Sequence, residues 1–412
     1  MRNGRTAAPA SLWLLRLGTL AMVLVLSAHV ESAAGLQAAW TTTPDYRIAE
    51  PEGTDSGLGR FSRMRIGGKG TRVVVQDSEI VEATPTWRIL VFSPEGNLLS
   101  TLDAADVPRE FSAPLRVLAD AGGFWVRHRE GSMRYSYQAR EFVLRVTYPP
   151  ELTGRRSLVP LGDGSFFTKG GFPVWNFEGD NAPPRKQAFL HIANTGVEWI
   201  PDTIAVLDIR NMPWFVGVRG ESSRFNTQVS LNQPFADHDL TWTDWQAGSV
   251  GIVRRNGPPG VVEVIEIRTT GDTLRHGRFT VPALPVSKER AESAVEGAMA
   301  RLRSSAEQHG LDARQLRRLA EDALHIPSHL PAVNAVVPTA SGETWLRTPE
   351  VADGLAVWYA ILRGDTDAAP RRVLLPSIFR LQDAFGDHVW GFAEEQSQPR
   401  HILGLRLVPP AG

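Results

Sequence analysis

The chain has 412 residues, 42% hydrophobic and 22% charged, a balance that describes a folded rather than a disordered protein. Its formal net charge is -1 with acidic and basic residues interleaved, so it carries no phosphate-binding footprint and nucleic acid is not an expected partner. Cysteine is absent, which excludes disulfides, thiolate metal sites, cysteine nucleophiles and the acylated cysteine of a lipoprotein.

The first element is a leader. Arg2, Arg5 and Arg16 precede or open the apolar run from Leu17 to Ser27, and small residues follow at Ala28, Ser32, Ala33 and Ala34. A basic head, a short apolar stretch and small residues make a secretory signal peptide over residues 1–34, cleaved between Ala28 and Ala39. The run is shorter than the roughly 20 residues of a spanning helix. The expected location is therefore periplasmic or secreted, with no membrane span after cleavage.

Beyond the leader, short apolar strands alternate with Gly- and Pro-containing turns. A strand candidate at Tyr46 to Ala49 comes first. Next, Met64 to Gly67, Val73 to Val75, Trp87 to Phe92 and Leu98 to Leu102 make four strands in about 40 residues. Such a sheet cannot bury both faces alone, so it must stack on copies of itself. A second unit carries Phe124 to Val126, Met133 to Tyr137 and Phe142 to Val146. A third carries Leu158 to Leu161, Ser165 to Phe167, Ala188 to Ile192 and Thr203 to Leu207. A fourth, irregular unit starts at Trp214 to Val218 and continues through Gly248 to Val253, Val261 to Ile267 and Arg278 to Val281.

The period then changes. Ala291, Ala294, Val295, Ala298, Met299 and Leu302 recur at helical spacing before Gly310, and Asp312 with Gln315 forms a capping box for a second helix. This helical insertion spans residues 287–326. Strands resume in a fifth unit at Ala332 to Val337, and a sixth runs from Arg380 to Val408. The expected fold is all-β, a six-bladed β-propeller over residues 40–409 with a two-helix insertion before the fifth blade. The Tyr46 strand would complete the last blade and so tie the ends together.

Gly59, Arg60 and Phe61, and again Arg109, Glu110 and Phe111, precede the first two units. The run from Ile89 to Leu99 ends its blade in a Pro-x-Gly turn, and Val373 to Leu381 leads to Gly386 through Gly391. Together these resemble exported bacterial six-bladed propellers of the NHL/TolB-like kind. The resemblance implies a fold and a frequent helical insert, and no reaction.

The candidate binding residues are Asp237, His238, Asp239, Trp242, Asp244 and Trp245. A histidine flanked by carboxylates can act as acid or base, the carboxylates can hold a hard cation, and indole faces can stack on a flat ligand. His325 and His329 share helical metal-pair spacing but are separated by Pro327, and Asp163, Asp272, Asp365 and Asp387 lie in Gly-containing turns. No catalytic residue, metal site or cofactor is predicted from either set. His388 and His401 stand singly in strands, as satisfied structural residues do, and Arg314, Arg317 and Arg318 form a basic helix face. The leading expectation is a monomeric, non-enzymatic scaffold that binds a protein or small molecule at one mouth of the channel. One alternative is a metal-dependent hydrolase, lactonase or lyase; another is a carbohydrate-binding propeller using Trp242 and Trp245.

Overall fold

The computed structural model describes residues 39–48, most of 63–244 outside the connecting stretches, 248–362, 370–393 and 401–410. The leader, its cleavage site, both lead-in phrases, Asp163, Trp245 and Asp365 lie outside the described residues.

Strand β1 is Thr41–Ile48. Strands β2 (Arg63–Gly67), β3 (Arg72–Val81), β4 (Thr84–Phe92) and β5 (Leu98–Asp103) form one antiparallel meander. A second is β6 (Arg116–Ala119), β7 (Gly123–Arg127), β8 (Gly131–Ser136) and β9 (Glu141–Thr147). A third is β10 (Val159–Pro160), β11 (Phe166–Lys169), β12 (Lys186–Asn194) and β13 (Trp199–Asp208). Among the described residues, strands β14 (Trp214–Val218) and β15 (Thr227–Leu231) pair with each other alone. A fourth four-stranded sheet is β16 (Leu240–Asp244), β17 (Ser249–Arg254), β18 (Val261–Arg268) and β19 (Thr273–Thr280). Helices α1 (Lys288–Gln308) and α2 (Ala313–Ala323) follow. A fifth sheet is β20 (Ala335–Pro338), β21 (Glu343–Ala352), β22 (Leu355–Leu362) and β23 (Arg371–Pro376). Finally β24 (Phe379–Phe385), β25 (His388–Ala393) and β26 (His401–Val408) join β1 in the order β1-β26-β25-β24.

Among the described residues there are thus six four-stranded sheets and one two-stranded ribbon. Neighbouring sheets pack face to face, so their middle strands are buried on both sides and read as unbroken apolar runs. Strand β7 is buried at every position, and β22 at six consecutive positions. Trp87, Ile89 and Val91 of the first meander meet Val117, Phe124 and Met133 of the second. Leu118 and Trp125 meet Val159 and Phe167, in a cluster that continues to Val250 and Ile252. Trp242, Val253 and Val264 meet Leu346, Val357 and Tyr359. Trp345 and Trp358 meet Phe379, Leu381 and Val389. First strands touch in turn, β16 to β20 to β24, and β2 lies against both β24 and β6. The result is an all-β propeller carrying two helices.

The chain's two ends meet in the last sheet. Strand β1 pairs with β26 from Thr41↔Val408 to Ile48↔Ile402, beginning earlier than the Tyr46 to Ala49 expectation. The preceding Trp40 also bonds to the next sheet, its N–H donating to Arg372 O at 2.9 Å and its carbonyl accepting from Leu374 N at 2.9 Å. Arg371 lies 4.8 Å above the Trp40 ring, a cation–π contact.

The irregular fourth unit is where expectation and structure part. Trp214–Val218 does not open that sheet; it pairs with Thr227–Leu231, and the sheet opens instead at Leu240–Asp244. The ribbon supports the helices. Val216, Val218 and Leu231 pack on Val295, Ala298, Leu302, Leu316 and Ala320. Ser287 caps α1 by accepting from Arg290 N at 3.3 Å, and the Asp312–Gln315 capping box is formed at 2.8 and 2.9 Å. The far end of α2 is closed by buried Gln233, which donates to Ala323 O at 2.6 Å and accepts from His325 N at 2.9 Å. These bonds satisfy groups that a helix end leaves open.

Candidate ligand site

In a four-stranded antiparallel meander, the start of the first strand, the link from second to third and the end of the fourth share one edge of the sheet. Asp237, His238 and Asp239 immediately precede β16. Lys169 ends β11, Asp208 ends β13 and Arg254 ends β17, with Arg255 and Asn256 just beyond. All of these lie at one mouth, along the seam between the third and fourth sheets.

Backbone bonds build the seam. Asp239 N–H donates to Asp208 O at 2.8 Å, and Asp208 N–H returns to Asp239 Oδ2 at 2.8 Å. Asn256 Nδ2 donates to Asp208 Oδ2 at 2.8 Å. The buried Arg255 ties three segments together: Nε donates to His238 O at 2.7 Å and a terminal nitrogen donates to Val333 O at 2.6 Å. Val333 precedes β20, so one guanidinium also reaches the fifth sheet's lead-in. Its planar fork suits two carbonyls at once.

Burial sets the charge states. It pushes the Asp239 carboxyl above the usual carboxylate range, with the Asp208 N–H holding it back. It pulls the Lys169 ammonium down, opposed by Asp239. His238 is lowered to about 4, first by burial and then by the Arg255 and Lys169 charges, and so is neutral near pH 7. Arg255 falls to about 10 through burial and stays charged. Among the described residues, two buried atoms here, His238 Nδ1 and Asp239 Oδ1, have no hydrogen-bond partner. Asp239 is only 3% exposed, so its open acceptor is costly unless something fills it.

The sequence-derived set is only partly brought together. Asp237, His238 and Asp239 share the mouth. Trp242 is 5% exposed, and its indole lies over Gly251, where a Cβ would sit 1.9 Å from the ring. Its faces are committed to sheet packing, so it offers no stacking platform. Asp244 stands at the opposite end of β16, about 13 Å along the strand by its rise per residue. Trp245 lies outside the described residues. Lys169, Asp208, Arg255 and Asn256 join the set only in the structure. Their one sequence signal is a charged residue directly after an apolar strand, as in Phe166-Phe167-Thr168-Lys169 and Val250 to Arg255.

Several of the other polar candidates have structural partners, whereas His325 Nε2 is buried without a hydrogen-bond partner among the described residues. Asp272 accepts from Thr270 Oγ1 at 2.8 Å within its turn, and Asp387 pairs with Arg406 at 2.8 Å. Arg317 is held by Glu292, Glu296 and Glu321. His329 Nδ1 meets its neighbour Ser328 Oγ at 3.0 Å. Among the described residues, no three His, Asp or Glu converge in a metal-binding group. None of the described helices is long and apolar enough to cross a membrane.

No family model and no curated protein sequence matches the chain. Solved structures do. The WD40 domain of Pan2 from Neurospora crassa is similar at TM-score 0.40 and 9% identity, covering 90% of this chain and 96% of that one. A catalytically inactive virginiamycin B lyase from Staphylococcus aureus, solved with quinupristin, gives TM-score 0.38 and 11% identity, with 90% and 100% covered. The β-propeller domain of the Trilobed protease from Pyrococcus furiosus gives TM-score 0.38 and 10% identity, with 86% and 99% covered.

Proposed function

We propose that the chain is an exported, monomeric six-bladed β-propeller, each four-stranded sheet being one blade, that binds a small polar ligand without transforming it. The ligand would sit at the mouth beside Lys169, His238 and Asp239. The observation behind this reading is the unmatched buried acceptor of Asp239, held on rigid strand ends next to an ammonium and a neutral imidazole. Strand-borne groups at the rim of a stiff scaffold are suited to recognition. A ligand rich in hydroxyl groups could accept from Lys169 and donate to Asp239, which a simple carboxylate could not do. The export element of the proposal rests on the apolar leader from Leu17 to Ser27.

The test is a thermal-shift panel of glucose, galacturonate, tartrate and succinate on the purified protein, with elemental analysis of the same sample. A hydroxylated probe is expected to raise Tm by about 2 °C or more at saturating concentration. The shift should disappear in Asp239→Asn and in Lys169→Met, the second being a substitution at a partly exposed strand end. No shift with any probe, a shift unchanged in both variants, or a stoichiometric divalent cation would overturn the proposal.

A further inference from the structure

Among the described residues, Arg347 of β21 pairs with no carboxylate. By strand alternation it shares the face of Trp345, which packs on Phe379 and Leu381 of the last sheet. Its carbonyl accepts from Asn334 N–H at 2.8 Å, one residue beyond the Val333 that Arg255 holds. It therefore lies at the same mouth as Asp239, but on the seam between the fifth and last sheets. One terminal nitrogen comes only within 3.5 Å of Ser377 O, and Nε is buried with no hydrogen-bond partner among the described residues. Trp358 stands directly opposite in the ladder, and its buried Nε1–H likewise has no acceptor among the described residues. The strand carboxylates of this sheet are already engaged, Glu343 with Arg371 at 2.7 Å and Glu350 with Arg372 at 3.3 Å. The charge that does act on Arg347 is that of the exposed Arg380, three residues after Ser377. Burial first, and then the Arg380 charge, hold the Arg347 guanidinium below its usual range.

A buried positive charge is costly unless an anion compensates it, and a second cation beside it raises the cost. Arginine does not escape by losing its proton. We infer that Arg347 and Arg380 form a receptor for a compact dianion, a phosphate or a phosphoryl group, at this seam. Each guanidinium fork can donate two parallel N–H bonds to phosphate oxygens, and the Trp358 indole N–H is a further donor on the Arg347 face. The net charge of -1 argues against a broad nucleic-acid surface, but one phosphoryl group needs only two cations held close. The receptor is independent of the Asp239 site, which lies on a different seam.

The test is calorimetric titration of the purified protein with inorganic phosphate and with β-glycerophosphate. It is run in low salt, where screening is weak, and at about pH 8, where both probes are dianions. At least one probe is expected to bind at a single site per chain, and the tighter of the two tells a free anion from the phosphoryl end of a larger molecule. Arg347→Gln should weaken binding about tenfold or more. Arg380→Glu, a change at an exposed position, should abolish it, because the introduced carboxylate takes Arg347 for itself. Arg314→Gln, which removes an exposed charge from α2, should leave it unchanged. Absence of binding with both probes would overturn the receptor. So would affinity retained in Arg380→Glu, or a loss in Arg314→Gln equal to that in Arg347→Gln.

Discussion

Trp345→Ala is expected to lower the stability of the protein by about 3–5 kcal/mol, a fall of about 5 °C in Tm for a domain of this size, measured by calorimetry. Trp345 is fully buried, in the cluster that joins the fifth sheet to the last. Its Nε1–H donates to Glu343 Oε2 at 3.0 Å, and Glu343 in turn pairs with Arg371 at 2.7 Å. Arg371 lies 5.8 Å over the Trp345 ring as well as over Trp40. Truncation therefore opens a large cavity, removes a donor from a half-buried carboxylate and takes away one of the two rings beneath the arginine. The exposed Leu362→Ala should change stability by less than about 0.5 kcal/mol, which separates packing from mere loss of apolar surface.

Arg255→Met should cost about 3 kcal/mol in chemical denaturation, although methionine is apolar and fits a buried position. The loss comes from what is left behind. The carbonyls of His238 and Val333 would be stranded without their donor, and the Asp237 and Asp239 charges would lose a compensating cation. Arg255→Lys should recover less than half of the loss, because an ammonium on a flexible stem cannot match the fork that serves both carbonyls. Full recovery by lysine would mean that charge alone, and not the bridging geometry, holds the seam.

How much of this was legible in the sequence depends on whether the decisive contact is local. Strands such as Trp87 to Phe92 and Leu355 to Leu362 announce themselves through β-branched and aromatic runs bounded by turns, and the Asp312–Gln315 box marks α2 because both partners lie within one turn. Trp214–Val218 reads identically whether it opens a blade or pairs in a separate ribbon; only its partner Thr227–Leu231, across a connecting segment, decides. Strand β6, four residues containing Arg116, was too short and too polar at its start to stand out. At the candidate site, Asp237 to Asp239 are legible because they are contiguous. Trp242 and Asp244 lie beside them in sequence, whereas strand alternation and rise carry them into the sheet interface and to the other end of β16. Lys169 and Arg255 reach the same seam from different sheets, and no local pattern encodes that meeting. His388 reads as solitary in the sequence for the same reason, since its neighbour Asp45 lies more than three hundred positions away in the chain.

The account depends above all on the chain's two ends meeting within one sheet to close the ring. The absence of cysteine allows a clean measurement: introduce Thr41→Cys and Val408→Cys together, oxidise the folded protein and map the product by mass spectrometry. These positions face each other in the β1–β26 ladder, where antiparallel partners lie about 4.5–5.5 Å apart, within the range a disulfide spans. Closure predicts an intramolecular bond between positions 41 and 408, formed without loss of the folding transition. Two thiols that stay free, or that link only different molecules while the protein remains folded, would contradict it.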